Sequence, residues 1–330
     1  MLEVVDPGPL LTLQDRGRPG LAHLGVPPSG AADPWGHAVA CLLAESPAGA
    51  AVLEVTLGGA RLRAVETCTV ALGGADLGAE LDDGRRLPCG AVHLLPAGSE
   101  IRFAGSGPGS ASGIRAYVAL AGGIDARPVL GSASTCVPAR LGGIDGRPLR
   151  AGDVLLPARR GDLGAAGRVW PSGTAPHPAT RPGPIRFVAG PDLRHLPPDA
   201  PEALAASTWV VGPASDRMGI RLDGANLPAG REILSHPVIP GAVQVPADGR
   251  PVVLFVDGPT IGGYPVAGVV PRWQWPRLGQ LGPGDRVRFA VQAAAAARAA
   301  WSAQQRVLAA AARSVRADAL WDRLADGSGG

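Results

Sequence analysis

The chain has 330 residues, more than one hydrophobic core usually serves, and its 46% apolar share is enough to build two. Its formal net charge is +3 and it contains no lysine, which excludes a P-loop lysine, a Schiff base and a biotinyl-lysine within the chain. A mild, scattered positive balance and only 4% aromatic residues argue against a polyanion partner and against stacking surfaces for single-stranded nucleic acid.

Glycine (48) and proline (34) are frequent but fall between short apolar runs without a collagen-like period, the texture of a β-rich protein with many turns. Cys41, Cys68, Cys89 and Cys136 are far apart, with no C-x-x-C and no histidine at ligand spacing, so free thiols in a reducing compartment are expected and a metal site is not. The start, Met1-Leu2-Glu3-Val4-Val5-Asp6, carries two acids where a signal peptide needs a basic segment. No apolar run is long enough to span a membrane, and a soluble, cytoplasmic protein is expected.

In chain order, Leu10-Leu11-Thr12-Leu13 reads as a strand. It enters Gln14-Asp15-Arg16-Gly17-Arg18-Pro19-Gly20, which is either a grip for a carboxylate or phosphate or a surface turn with its own Asp-Arg pair. Asp33-Pro34 is a helix start, an N-cap followed by proline at the first helical position, and Trp35, Val39, Leu42 and Leu43 then share one face. Strands follow at 52–57, 67–72, 79–81 and 99–103, punctuated by Gly-Gly and Asp-Gly pairs; this spacing predicts an antiparallel sandwich or barrel. Gly105-Ser106-Gly107-Pro108-Gly109 is read as a connector. Residues 114–121 form a further strand, and Gly131-Ser132-Ala133-Ser134-Thr135 groups hydroxyls that hold an anion or satisfy their own backbone.

Residues 159–184 are rich in glycine, proline and alanine, and the domain boundary is placed there, giving domains at 1–170 and 183–291 and a helical extension at 292–330. Two short matches in the same order suggest that the halves are duplicated: Asp15-Arg16 with Asp216-Arg217, and residues 98–104 with 284–290. Pro240–Asp257 reads as a hairpin turning at Asp248-Gly249. It delivers Asp257 to a loop containing Thr260, Gly262, Gly263 and Tyr264, which is either ordinary turn chemistry or a place where a carboxylate, a hydroxyl, bare backbone and a phenol meet a ligand. From Val291 to about Ala325 an alanine- and arginine-rich helix carries Trp301, Leu308 and Val315 at seven-residue spacing, suited to packing on the body or a partner.

Eight segments, taken together and in order, resemble the family of biotin-dependent carboxyltransferase or allophanate hydrolase subunit 2 proteins, which includes the C-type subunit of 5-oxoprolinase and KipA-like proteins. They are Gln14–Gly20, Ser29–Asp33, Leu120–Ile124, Gly131–Thr135, Ser215–Gly219, Pro240–Pro246, Gly262–Pro265 and Leu278–Asp285. The resemblance covers about residues 4–290. It implies a mainly β fold with a few helices: two cyclophilin-like β-barrel domains related by internal duplication, plus the C-terminal helix.

It also implies a KipI-like (allophanate hydrolase subunit 1) partner and, in the oxoprolinase version, a LamB/YcsF-like third subunit. That assembly uses ATP to open 5-oxo-L-proline to L-glutamate. The alternatives are a carboxyltransferase subunit of a urea carboxylase-like system, with biotin brought by another protein, and a non-enzymatic antagonist of a KipI-like regulator of a sensor kinase. On the hydrolase reading Asp257 orients or deprotonates the nucleophile, while Thr260, Tyr264 and the Gly262-Gly263 amides hold the oxyanion. Arg16 and Arg217, oriented by Asp15 and Asp216, grip the substrate carboxylate or transferred phosphate, with Arg18, Ser134, Thr135 and Gln244 completing the substrate site.

Overall fold

The computed structural model describes all residues except 48, 106–112, 172–176, 181, 228–231 and 326–330; within the last helix, side chains are described as far as Val315. The glycine-rich segment read as a connector after Phe103 lies almost wholly outside the described residues.

The first half is built from strands β1 (Leu2–Asp6), β2 (Leu10–Gln14), β3 (Val52–Thr56), β4 (Arg61–Ala64), β5 (Cys68–Gly74), β6 (Ala79–Leu81), β7 (Ala91–Leu95), β8 (Glu100–Phe103), β9 (Arg115–Leu120) and β10 (Val154–Leu155). They form two antiparallel five-stranded sheets, ordered β10-β1-β4-β8-β6 and β2-β3-β9-β5-β7. The sheets sandwich one core, in which Leu2, Val4 and Leu62 of the first meet Leu11, Val55 and Val118 of the second.

Helix α1 (Pro34–Leu43) lies on the outer face of the second sheet, with Trp35, Val39 and Leu43 against Val52, Ala71 and Ala119. Strands β3 and β9 are therefore buried on both faces, and the polar side chains they carry, Glu54, Thr56 and Arg115, are buried with them. The expected cap is present: the Asp33 carboxylate accepts from the amides of Trp35 at 3.0 Å and Gly36 at 2.9 Å. Strands β1, β4 and β7 go beyond what the sequence pattern marks; in β4, Arg61-Leu62-Arg63-Ala64 alternates too briefly to register as a strand.

The second half contains β11 (Ile185–Ala189), β12 (Thr208–Val211), β13 (Gly219–Asp223), β14 (His236–Pro237), β15 (Ala242–Gln244), β16 (Val252–Leu254), β17 (Ile261–Gly262), β18 (Val266–Val269) and β19 (Arg286–Val291), with helices α2 (Ala200–Ala206) and α3 (Trp275–Leu278). Seven of these strands close a barrel in the order β11-β18-β15-β16-β13-β12-β19, sealed by parallel pairing of β11 with β19. The hairpin expected at Asp248-Gly249 joins β15 to β16, with Val243 opposite Val253. The two segments matched as a repeat meet different neighbours: β8 lies between β4 and β6, all antiparallel, whereas β19 lies between β12 and β11.

The barrel is filled by Phe187, Trp209, Val253, Phe255 and Phe289 and also takes in Ala32 from the first half. Helix α4 (Ala294–Ala325) then returns to the first half, where Val307, Leu308 and Val315 join the cluster under α1. Both cores reach the seam between the halves.

Helix α1 approaches β5 so closely that a Cβ on Gly36 would lie 2.7 Å from the Gly74 Cα. In a solvated helix Gly→Ala is favourable by about 1 kcal/mol. Here Gly36→Ala is expected to destabilise the chain by about 2 kcal/mol, as overpacking against fixed backbone does, and a fall in the thermal unfolding midpoint checks it.

Candidate functional site

The seam is held by ionic groups. Arg217, in the turn between β12 and β13, extends into the first half, where its Nη1 donates to Glu54 of β3 at 2.7 Å and its Nη2 to the Gly30 carbonyl at 2.7 Å. Its Nε donates to Asp257 at 2.7 Å, and the other Asp257 oxygen accepts from the Ser29 hydroxyl at 2.6 Å. Glu54 is fully buried and also accepts from the Tyr117 phenol at 2.8 Å and the Ala32 amide at 2.9 Å. Arg115 lies 3.6 Å from the same carboxylate.

A second set adjoins it. The Asp33 carboxylate, beyond capping α1, accepts from His177 Nε2 at 2.6 Å and from Gln280 at 2.7 Å. Gln280 in turn accepts from the Arg115 amide at 2.8 Å, so one amide side chain joins α1, β9 and the end of the second half.

These contacts fix the charges. Burial alone pushes the Glu54 carboxyl up, but Arg217 and Arg115 together with its hydrogen bonds hold it below the ordinary glutamate value of 4.5. Burial likewise opposes ionisation of Asp33, and His177, the Gly36 amide and Gln280 hold it below 3.8. Burial also opposes the Arg217 charge, and Asp257 and Glu54 overcome it, keeping Arg217 charged.

The structure therefore gives several residues read as ligand contacts a different engagement. Arg217 is consumed by Glu54, Asp257 and Gly30, and Asp257 is only 2% exposed, so neither faces a solvent cleft. Asp216 does not orient Arg217; it accepts from the amides of Met218 and Gly219 in a turn of its own. Asp15 does not pair with Arg16 either, and accepts from the hydroxyls of Ser132 and Ser134 and the amides of Ala133 and Gly17. Arg18 is buried and donates to the carbonyls of Val129, Ser132 and Ser134. Ser134 and Thr135 are buried beneath it. The hydroxyl loop ties the Asp15 turn to the body, with Ser132 and Ser134 donating to a carboxylate of the chain itself.

Two concave regions are lined by residues read as ligand contacts. One is a cleft of about 560 Å³ on the barrel wall, bordered by Asp216, Arg221, Gln244, Arg250, Pro259 and Tyr264. Asp257 and Thr260 lie outside its lining; Thr260 is buried and its carbonyl accepts from the Val238 amide. Gly262 pairs with His236 in the β14–β17 ladder, and a Cβ on it would sit 2.5 Å from the Gln244 amide nitrogen; Gly263 follows, its carbonyl accepting from the Ile233 amide.

The other is a cavity of about 290 Å³ between the Asp15–Arg16 turn, α1, the segment before α3, and α4. Arg16 and Arg272 both face it, along with His37, Trp275 and Trp301. Arg16 lies over Gly49, where any Cβ would meet its side chain at 2.9 Å, and among the described residues it makes no hydrogen bond or ion pair. The Arg272 guanidinium sits 5.4 Å from the Trp275 ring centre and 5.5 Å from that of Trp301. Burial and the Arg16 charge lower the Arg272 pKa.

The carboxylate on the cavity wall, Asp15, already has its oxygens occupied, so the two cations have capacity for an anion. Burial lowers the His37 pKa and keeps the ring neutral; its Nε2 lies 3.0 Å from the Ala50 carbonyl, which can only accept, leaving Nδ1 with the lone pair. Cys41, one turn further along α1, has its thiol pushed up to about 12 by burial and is unreactive. Arg272, Trp275 and Trp301 carry no local signal of a site in the sequence, because the fold alone brings residues 16, 272 and 301 together. Glu54 does leave a trace, as a lone acid in the apolar run Val52-Leu53-Glu54-Val55.

The family model described as carboxyltransferase domain, subdomain A and B, matches residues 24–291. The C-type subunit of Escherichia coli 5-oxoprolinase is 35% identical, the match covering 88% of this chain and 90% of that one; its Haemophilus influenzae namesake is 31% identical with the same coverage. The solved structure of Kluyveromyces lactis urea carboxylase superposes with a TM-score of 0.82 at 26% identity over 93% of this chain, which spans 29% of that longer protein. The chain belongs to the carboxyltransferase domain, subdomain A and B, family. Within it, the chain resembles the 5-oxoprolinase C-type subunits along almost its whole length.

Arg217→Ala is expected to leave Asp257 buried without its counter-charge and Glu54 with Arg115 alone, and to cost about 3–5 kcal/mol, read as a lowered urea midpoint. Glu54 and Asp33 titrate lower folded than unfolded, so their contribution is complete above about pH 4.5 and is lost as pH falls through 4.5, then 3.8, toward the folded values. Asp33→Asn is expected to show lower stability at pH 7 and a flatter loss over that acid range, measured by unfolding at each pH.

Proposed function

We propose that this chain is the C-type subunit of an ATP-dependent 5-oxoprolinase that opens 5-oxo-L-proline to L-glutamate together with KipI-like and LamB/YcsF-like subunits. The observation that carries this reading is the cavity between Arg16 and Arg272: two arginines without acidic partners beside indole rings suit a small, partly apolar carboxylate. The five-membered lactam ring would lie against Trp275 and its carboxylate between the guanidinium groups. At about 290 Å³ the cavity is at the lower edge of small-molecule pockets, so ATP is assigned to the assembled complex rather than to this cavity.

Water opens an unactivated lactam slowly, and phosphorylation of the carbonyl oxygen turns it into a better electrophile. Arg16 and Arg272 would hold the substrate through that change, and neutral His37 offers a proton acceptor on the same wall. Asp257 and Arg217 would act at one remove, by keeping the two sides of the cavity in register. A second reading, a carboxyltransferase subunit working on biotin carried by another protein, is favoured by one observation: the cleft beside Gln244 and Tyr264 is about 560 Å³, with Tyr264 38% exposed at its rim.

The decisive assay is ATP-dependent glutamate release from 5-oxo-L-proline by the three proteins mixed, with each omitted in turn. Activity is expected only when all three are present. Arg16→Gln is expected to lower kcat/KM by roughly 100-fold with the complex intact, the effect of losing one charge-assisted contact to a buried carboxylate. An intact complex without turnover would turn attention to the carboxyltransferase reading.

A further inference from the structure

Helix α4 begins at Ala294, just beyond the family match that ends at 291, yet it forms one wall of the cavity through Trp301, Gln304, Gln305 and Leu308. It is held in place independently of any ligand. Ala311 and Val315 are buried, Val307 and Leu308 pack into the cluster beneath α1, and Gln304 donates to the Trp273 carbonyl at 3.2 Å.

This anchoring places the Trp301 indole on the Arg272 guanidinium, which Trp275 also contacts. Arginine is long and rotamer-rich, and a guanidinium facing another cation has an electrostatic reason to swing into water. The two rings remove that freedom. Arg272 stays aimed at the cavity that Arg16 faces, and the anion's cost of ordering it is met in advance.

We propose that α4 completes the binding site and that Trp301 is a positioning residue, holding Arg272 across from Arg16 so that the cavity takes one compact anion of carboxylate or phosphate type. This rests on the cavity being the substrate pocket, and it deepens that reading by assigning ligand selection to a helix outside the matched family region. The ligand class follows from the geometry: two donors of one charge face a small shared space, with flat apolar rings beside them. A compact anion with a flat body satisfies both. An extended ligand would outgrow the roughly 290 Å³ that the two arginines and α4 border.

The test is calorimetric titration of the full chain with 5-oxo-L-proline, and separately with inorganic phosphate, for the unmodified protein and for Trp301→Ala, Trp301→Phe and Arg16→Gln. Trp301→Ala is expected to bind roughly tenfold more weakly and Trp301→Phe to recover most of the loss, because a phenyl face still attracts the guanidinium. A merely structural role would not be rescued in this way without a parallel change in thermal midpoint, which is measured on the same samples.

If 5-oxo-L-proline binds and Trp301→Ala binds it equally well, the role of α4 is overturned while the substrate reading stands. If phosphate binds with dependence on Arg16 and Trp301 but 5-oxo-L-proline does not, α4 is upheld and the substrate reading fails. If neither ligand binds the unmodified chain, alone or assembled with its two partner proteins, both fail.

Discussion

A guanidinium removed from water must find its counter-charges within the protein, and Arg217 finds them on both sides of the seam. Glu54 belongs to the first half, Asp257 to the second, and the Gly30 carbonyl takes a further donor. A buried ion pair adds little net stability compared with an apolar filling, but leaving one member unpaired is costly. The network therefore acts mainly on geometry: any slip of one half past the other strands at least one charge. Ala32, Tyr117, Gln280 and Asp33 depend on the same register, since each hydrogen-bonds within this interlocked set or packs across it.

The rigid seam accounts for the location of the cavity. Its floor is α1 and the Asp15–Arg16 turn, and its far side is the segment carrying Arg272 and Trp275. The turn is fastened by Ser132, Ser134 and Arg18, and α1 by its capped N-terminus. Residues that resemble a ligand grip in the sequence thus serve one layer further back, holding the backbone from which Arg16 projects. Arg16 and Arg272, which face the cavity, keep donors free to meet an anion.

Much of this architecture is legible in the sequence. The Asp33-Pro34 helix start, the hairpin at Asp248-Gly249, the strand of residues 114–121 and the long terminal helix rest on local rules of capping, turn geometry and periodicity, and all four are present. Strands β1 and β4 escape because segments of four or five residues with charged residues among the apolar ones carry little pattern. The site is less legible for a different reason. Side-chain type shows that Arg217 and Asp257 are out of the ordinary in their surroundings, but not whether a ligand or Glu54 and Ser29 satisfy them. That depends on what is opposite, and partners 163 and 228 positions away leave no local trace.

Those separations also bear on how the protein is made. Glu54 and Arg217 are 163 residues apart and Asp33 and Gln280 are 247 apart, so the seam closes only after nearly the entire chain has emerged from the ribosome. Until then the acid in strand β3 has Arg115 of β9, 3.6 Å away, as its counter-charge and lacks the closer pairing with Arg217. The second half therefore does more than dock on the first: through Arg217 it adds the closer of the two charges that Glu54 meets.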